Sequence, residues 1–135
     1  MIEDWLEHVE LEPHILAVPM DFATRSAHLP QLFRELAERL RHPRELGALP
    51  EASPAAVQHG IDRCMQGYSA AMLVEESRML QVSIFQTLQS NLHRVNFSLV
   101  LQSVMTIADE IECQLAQAMA SYVAASKMHA LPIEA

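Results

Sequence analysis

A chain of 135 residues, half of them hydrophobic but only 5% aromatic and with 3 glycines, has room for one domain with its own core. It lacks the β-branched, aromatic and glycine-rich make-up of a sheet protein. Its net charge of −8 argues against nucleic acid and anionic membrane surfaces as partners, because both are held mainly through Lys and Arg.

The first predicted helix runs from Ile2 to about Glu10, with Trp5, Leu6 and Val9 on one face and Pro13 limiting it. A short apolar turn follows over His14–Val18. Leu29, Leu32, Phe33, Leu36 and Leu40 then form the stripe of an amphipathic helix, with Glu35–Arg39 and Glu38–Arg41 expected on its solvated face. The segment from His42 to Ala52, with two prolines and a glycine, reads as a loop.

Ser53-Pro54 supplies an N-cap and a proline at the first helical position. That helix is expected to turn Val57, Ile61 and Cys64 or Met65 inward and to stop near Gly67. Ser69 caps the next one, Ala70 to about Arg94, and Asn96 caps the last, Phe97 to about Lys127. The last helix repeats Phe97, Leu101, Val104, Ala108, Ile111, Leu115, Ala118 and Tyr122 in steps of 4 and 3, a bundle or coiled-coil seam. A weaker stripe through Val100 and Ile107 lapses at Gln114.

The expected fold is therefore all-α, a bundle of five or six helices built on a long antiparallel C-terminal helical hairpin. It forms one domain over 1–135: N-terminal helices and loop over 1–52, core helices over 53–127, and the start of a linker over 128–135.

Charge is uneven. Residues 1–51 hold 10 of the 17 acids, whereas Met79 to Ala108 contains a single charged residue, Arg94. Two long helices with polar but uncharged side chains are expected to have little free surface, covered either by the other helices or by a second subunit; the reading adopted is a homodimer through Leu80, Ile84, Leu88, Phe97, Leu101 and Val104. No apolar run nears the ~18 residues of a membrane span, and the acidic N-terminus is unlike a signal peptide. Cys64 and Cys113 are isolated, which suits a reducing cytoplasmic setting.

No catalytic constellation is recognisable, and neither a metal nor a cofactor is expected. No glutamate has a histidine three positions on, which removes the di-iron carboxylate pattern. There is no phosphate loop, zinc signature or nucleophile elbow. Asp109, Glu110 and Glu112 read as a solvated face, the serines at 69, 77, 83 and 90 as caps or back-bonded residues, and the methionines as core filler.

The stretch His59–Arg78 stands apart, because it places His59, Arg63, Tyr68, Glu76 and Arg78 on and between two apolar helices. Such groups are expensive to bury unless they pair, so they form a structural polar network, a ligand-binding one, or in part a solvated face. His59 is open to three readings: a structural histidine, a member of a signal-responsive site, or a haem axial ligand or phosphoacceptor. His93 shares the haem option.

The series His59-Gly60-x-x-Arg63-x-x-Gln66-Gly67-Tyr68-Ser69, followed by Leu73-Val74-x-Glu76-x-Arg78-x-Leu80, resembles the RsbT co-antagonist RsbRD-type N-terminal domain. A similar module opens some bacterial sensor histidine kinases. The resemblance extends upstream to the Trp5 helix and downstream through residues 108–119. It implies a non-catalytic, cytoplasmic sensory domain ahead of a histidine kinase or anti-sigma co-antagonist output domain, with a possible small-molecule signal. A haem- or gas-binding globin-like sensor and a purely structural dimerisation module are the alternatives.

Overall fold

A computed structural model describes residues 2–130. These residues are helical throughout their regular structure, and none of them is in a strand. The helices are α1 (Ile2–Glu10), α2 (Pro13–Leu16), α3 (Phe22–Ser26), α4 (Leu29–Arg41), α5 (Pro54–Met65), α6 (Ala70–Ser90) and α7 (Phe97–Ala130), with a 3₁₀ turn at Leu92–Arg94. Five have nine residues or more, and α2 and α3 are single turns of 4 and 5 residues. Helix α7 runs through Ala130 and so includes the first residues of the linker expected over 128–135; Leu131–Ala135 lie outside the described residues.

Local chemistry sets most boundaries. The Ser53 hydroxyl accepts from the Ala56 amide at 3.1 Å and the Ser69 hydroxyl from the Met72 amide at 3.2 Å, each filling one orphan donor of a helix start. Asn96 accepts from the Ser98 amide at 3.1 Å at the head of α7. Asp21, which no apolar stripe announces, caps α3 by accepting from the Thr24 amide at 2.7 Å.

The core gathers Trp5 and Val9 from α1, Ile15 from α2, Leu29 and Leu36 from α4, Leu80 and Ile84 from α6, and Ile107 and Ile111 from α7. Here α1 packs on α6, and α4 on α7. The most extensive contact of α7 is with α5 rather than with α6.

That contact reverses the expected orientation of α5. Its buried residues are Ala56, His59, Gly60 and Arg63, while Val57 and Met65 are exposed and Ile61 and Cys64 half-buried. Close approach is the physical reason. A Cβ on Gly60 would stand 2.0 Å from the Ala118 carbonyl oxygen, so only glycine lets the α5 backbone lie against α7. The Ser121 hydroxyl donates across the same crossing to Val57 O at 2.7 Å.

On α7 the buried positions are Thr106, Ile107, Glu110, Ile111, Gln114 and Ala118. Gln114 does not end a stripe but belongs to it, because its Nε2 donates to Leu32 O at 3.3 Å. The seam expected from Phe97 is buried only in its second half. Phe97 and Leu101 remain 77% and 71% exposed.

Candidate functional site

The turn between α5 and α6 builds the central cluster. Gly67 has φ +89°, a left-handed conformation suited to glycine just past a helix end. Its amide donates to Cys64 O at 3.3 Å, and the Tyr68 amide donates to Arg63 O at 3.0 Å, the paired bonds of a Schellman ending. Tyr68 is thereby folded back over the last turn of α5, and the Arg63 guanidinium lies 4.8 Å from the centre of its ring. The run Arg63-x-x-Gln66-Gly67-Tyr68 is thus one structural unit.

Arg63 and Glu76 are 1% and 2% exposed. Arg63 Nε donates to Glu76 Oε1 at 3.0 Å, and the Tyr68 hydroxyl donates to Glu76 Oε2 at 3.0 Å. Arg63 Nη1 donates to Gln66 Oε1 at 2.8 Å, and Nη2 donates to the Arg25 carbonyl. Arg25, also buried, donates through Nη1 to Ile15 O and to the Tyr68 hydroxyl, and through Nη2 to Val18 O. Trp5 Nε1 donates to Glu76 O at 3.1 Å, and the Tyr122 hydroxyl donates to Tyr68 O. Five segments, α1, α2–α3, α5, α6 and α7, meet on these side chains.

His59 is buried beside them, stacked on His28 with ring centres 3.7 Å apart and planes 11° from parallel. Trp5 meets the edge of His28. Burial, followed by the charge of Arg63, lowers His59 from its ordinary 6.5 to about 3. His28 is held well below its usual range by burial and then by His59 and Arg63. Both rings are neutral at pH 7. His59 Nε2, 3.6 Å from Glu76 Oε1, therefore makes neither an ion pair nor a hydrogen bond with it. Burial raises the Glu76 carboxyl, while Arg63, Tyr68 and Arg25 pull it back. Burial and the Glu76 charge push the Tyr68 hydroxyl above its usual range.

Arg78 is not part of this network. Two positions along a helix from Glu76 it is turned by about 200°. Its side chain is 60% exposed and pairs with Glu75. Asp62 is likewise outside, exposed and accepting from Gln58 at 2.8 Å. Sequence spacing does not disclose Arg25, His28 or Trp5 as members. One signal for Arg25 exists: it is the only Lys or Arg among the first 33 residues.

A second charged cluster joins α4 to α7. Arg39 Nη2 binds Asp109 at 2.7 Å and Nη1 binds Glu110 at 3.2 Å, with Arg44 3.4 Å from the same Glu110 oxygen. Arg39 and Glu110 are buried. The expected solvated pair Glu35–Arg39 and the solvated face Asp109–Glu110 are both corrected here. The two faces turn toward each other, and Glu35 instead accepts from the Ser53 hydroxyl. Glu112 is exposed and Arg41–Glu38 is a surface pair, as expected. A cleft of about 420 Å³ lies over this cluster, lined by charges of both signs from Arg34, Glu35, Arg39, Arg44 and Glu110.

A smaller cavity of about 30 Å³ lies between Trp5, His28, His59, Glu76, Leu80 and Gln114. That is room for about one water, against the roughly 300–1,000 Å³ of a typical ligand pocket. A porphyrin does not fit beside His59. His93 sits exposed on the 3₁₀ turn.

Of the residues expected at a dimer interface, Leu80 and Ile84 lie in the chain's own core, Leu88 and Val104 are half-buried, and Phe97 and Leu101 are exposed. Among the described residues no group of three His, Cys, Asp or Glu could hold a metal ion, and no helix is long and apolar enough to cross a membrane. No family model matches the chain, and no curated protein or solved structure matches it at a significant level.

Proposed function

We propose that this chain is a non-catalytic sensory and regulatory input domain of a bacterial signal-transduction protein, of the kind that precedes a histidine kinase or an anti-sigma co-antagonist output. It works in the cytoplasm as a homodimer and passes a change of packing along its last helix. The sequence pattern around His59–Arg78 supports the class. In the central cluster all three Arg63 nitrogens and both Glu76 oxygens are engaged inside the protein, which favours a structural or regulatory role for these side chains over a catalytic one.

The observation that carries the relay is the bond from the Tyr122 hydroxyl to Tyr68 O, which fastens α7 to the cluster. A shift of α5 against α6 is felt there by α7, a helix of 34 residues and about 51 Å. We take α6 and α7 to run antiparallel, because only residues 91–96 connect them and short connections join antiparallel neighbours.

The experiment is a thermal-shift screen of the purified protein against a metabolite collection, with hits followed by hydrogen exchange. A stabilising compound should change protection in 59–76 and along α7 together. A compound that protects 59–76 while leaving α7 unchanged refutes the relay. Turnover of any substrate that His59→Ala abolishes refutes the non-catalytic reading.

A further inference from the structure

We propose that the first third of α7, residues 97–108, together with the end of α6, is covered by the same surface of a second copy of this chain. The inference rests on the homodimeric form proposed above and assigns it a face.

The apolar stripe of α7 is continuous, but its cover is not. From Thr106 onward the inward positions are buried under the rest of the chain, whereas no residue from Phe97 to Met105 is. The helix that lies most extensively on α7 is α5, and it has 12 residues, about 18 Å, against the 34 of α7. One face of the uncovered part carries Phe97, Leu101 and Met105, all exposed, with Val104 and Ala108 half-buried beside them; exposed Leu99 is turned about 200° from Phe97 and lies off this face. Three exposed large apolar side chains on one face over 9 consecutive residues are the profile of an interface.

Charge identifies the occupant. In a two-fold contact a side chain near the axis meets its own copy, so any charge there faces a like charge. For a chain of net charge −8, an isologous contact is cheapest where charge is absent. Met79 to Ala108 is such a place, with Arg94 its one charged residue. A charged partner of another kind would find nothing on this face to complement. A stable interface buries about 1,200–2,000 Å² in total. A 12-residue helical face is about 18 Å long, so the proposed contact also takes in Leu88 and Leu92, both half-buried at the end of α6 and in the 3₁₀ turn. Leu80 and Ile84 are excluded because the chain's own core already holds them.

The test is sedimentation of the 135-residue protein beside its Leu101→Glu, Phe97→Glu and Met128→Glu variants, with helix content checked by circular dichroism. Met128 is exposed at the other end of α7 and serves as the control. The wild type should be a dimer. Leu101→Glu and Phe97→Glu should each raise the dissociation constant at least 100-fold at unchanged helix content, and Met128→Glu should leave it within threefold. A dimer that tolerates both Leu101→Glu and Phe97→Glu refutes this face while leaving the homodimer itself standing. A wild type that stays monomeric at several hundred micromolar refutes the homodimer and this face with it.

Discussion

Gly60→Ala separates two opposing effects by sign. Gly60 lies inside α5, where helix propensity alone makes alanine better than glycine by about 1 kcal/mol. A Cβ at this position, however, would stand 2.0 Å from the Ala118 carbonyl oxygen, 2.2 Å from Ser121 Oγ and 2.8 Å from the Ala118 carbonyl carbon. Carbon contacts are comfortable near about 3.5 Å, so α5 and α7 must part by more than about 1 Å. The carbonyl belongs to the α7 backbone and cannot rotate away. Moving the Ser121 hydroxyl breaks its bond to Val57 O. Overpacking of this kind costs about 1–3 kcal/mol and the lost bond about 1 kcal/mol, against about 1 kcal/mol of propensity regained. The expected result is a net loss of about 1–3 kcal/mol, or roughly 4 °C of melting temperature per kcal/mol for a chain of this size. Urea unfolding followed by circular dichroism reads it directly. Adding Ser121→Ala removes one of the two obstacles, so the double variant should lose less than the sum of the single losses. An unchanged or raised midpoint for Gly60→Ala, with the same dependence on urea, would refute the close crossing of α5 and α7.

Arg63→Met strands the buried Glu76 carboxylate and is expected to lose about 3–5 kcal/mol, whereas Arg78→Met should stay within about 0.5 kcal/mol. Equal melting points for the two variants would contradict the assignment of Arg63 inside and Arg78 outside. Arg39→Met leaves the buried Glu110 without its closest cation and should lose about 2–3 kcal/mol; an unchanged urea midpoint would return that pair to the surface. His59 has its folded value lowered to about 3 and His28 is also held well below 6.5, so the unfolded chain binds more protons over a window that opens at pH 6.5 and, for His59, closes at about 3. Stability present above pH 6.5 is therefore lost as pH falls through that window, by up to about 1.4 kcal/mol per histidine per unit. Glu76, raised by burial, opposes the loss in the lower part. Urea midpoints at pH 7.5 and 5.5 should differ in this direction in the wild type and by less in His59→Phe, and equal wild-type midpoints would mean that the rings are not held neutral.

Where side-chain hydrophobicity and local hydrogen bonding agree, the sequence discloses the structure. Leu29, Leu32 and Leu36 mark the inner face of α4 with Phe33 half-buried beside them, but the last turn departs from the stripe: Leu40 is exposed and Arg39 is buried there. Ser53-Pro54 and Ser69 mark helix starts because capping is decided within three residues. The face of α5 is not disclosed, since the usual rule ranks Val57, Ile61 and Met65 above Ala56, His59, Gly60 and Arg63. The folded chain prefers the latter set because Gly60 brings two backbones together and Arg63 finds Glu76, and neither gain is visible from α5 alone. The same holds at Gln114, whose amide interrupts an apolar stripe on paper and is satisfied in the core by Leu32 O.

The membership of the central cluster shows where spacing loses its power. Glu76 and Arg78 are close in sequence, but helical rotation sends them to opposite sides. Arg25 and Arg63 are 38 positions apart, and the Arg25 carbonyl accepts from Arg63 while its guanidinium reaches the Tyr68 hydroxyl. Charge bookkeeping over the whole chain carries more information here than local pattern. A lone cation in a 33-residue stretch with 6 acids, followed by residues of mixed polarity, has few reasons to exist on a surface where an ion pair is worth at most about 1 kcal/mol. Inside, the same guanidinium satisfies Ile15 O, Val18 O and the Tyr68 hydroxyl at once, and so holds the short helices α2 and α3, whose one buried apolar side chain is Ile15, onto the α5–α6 turn.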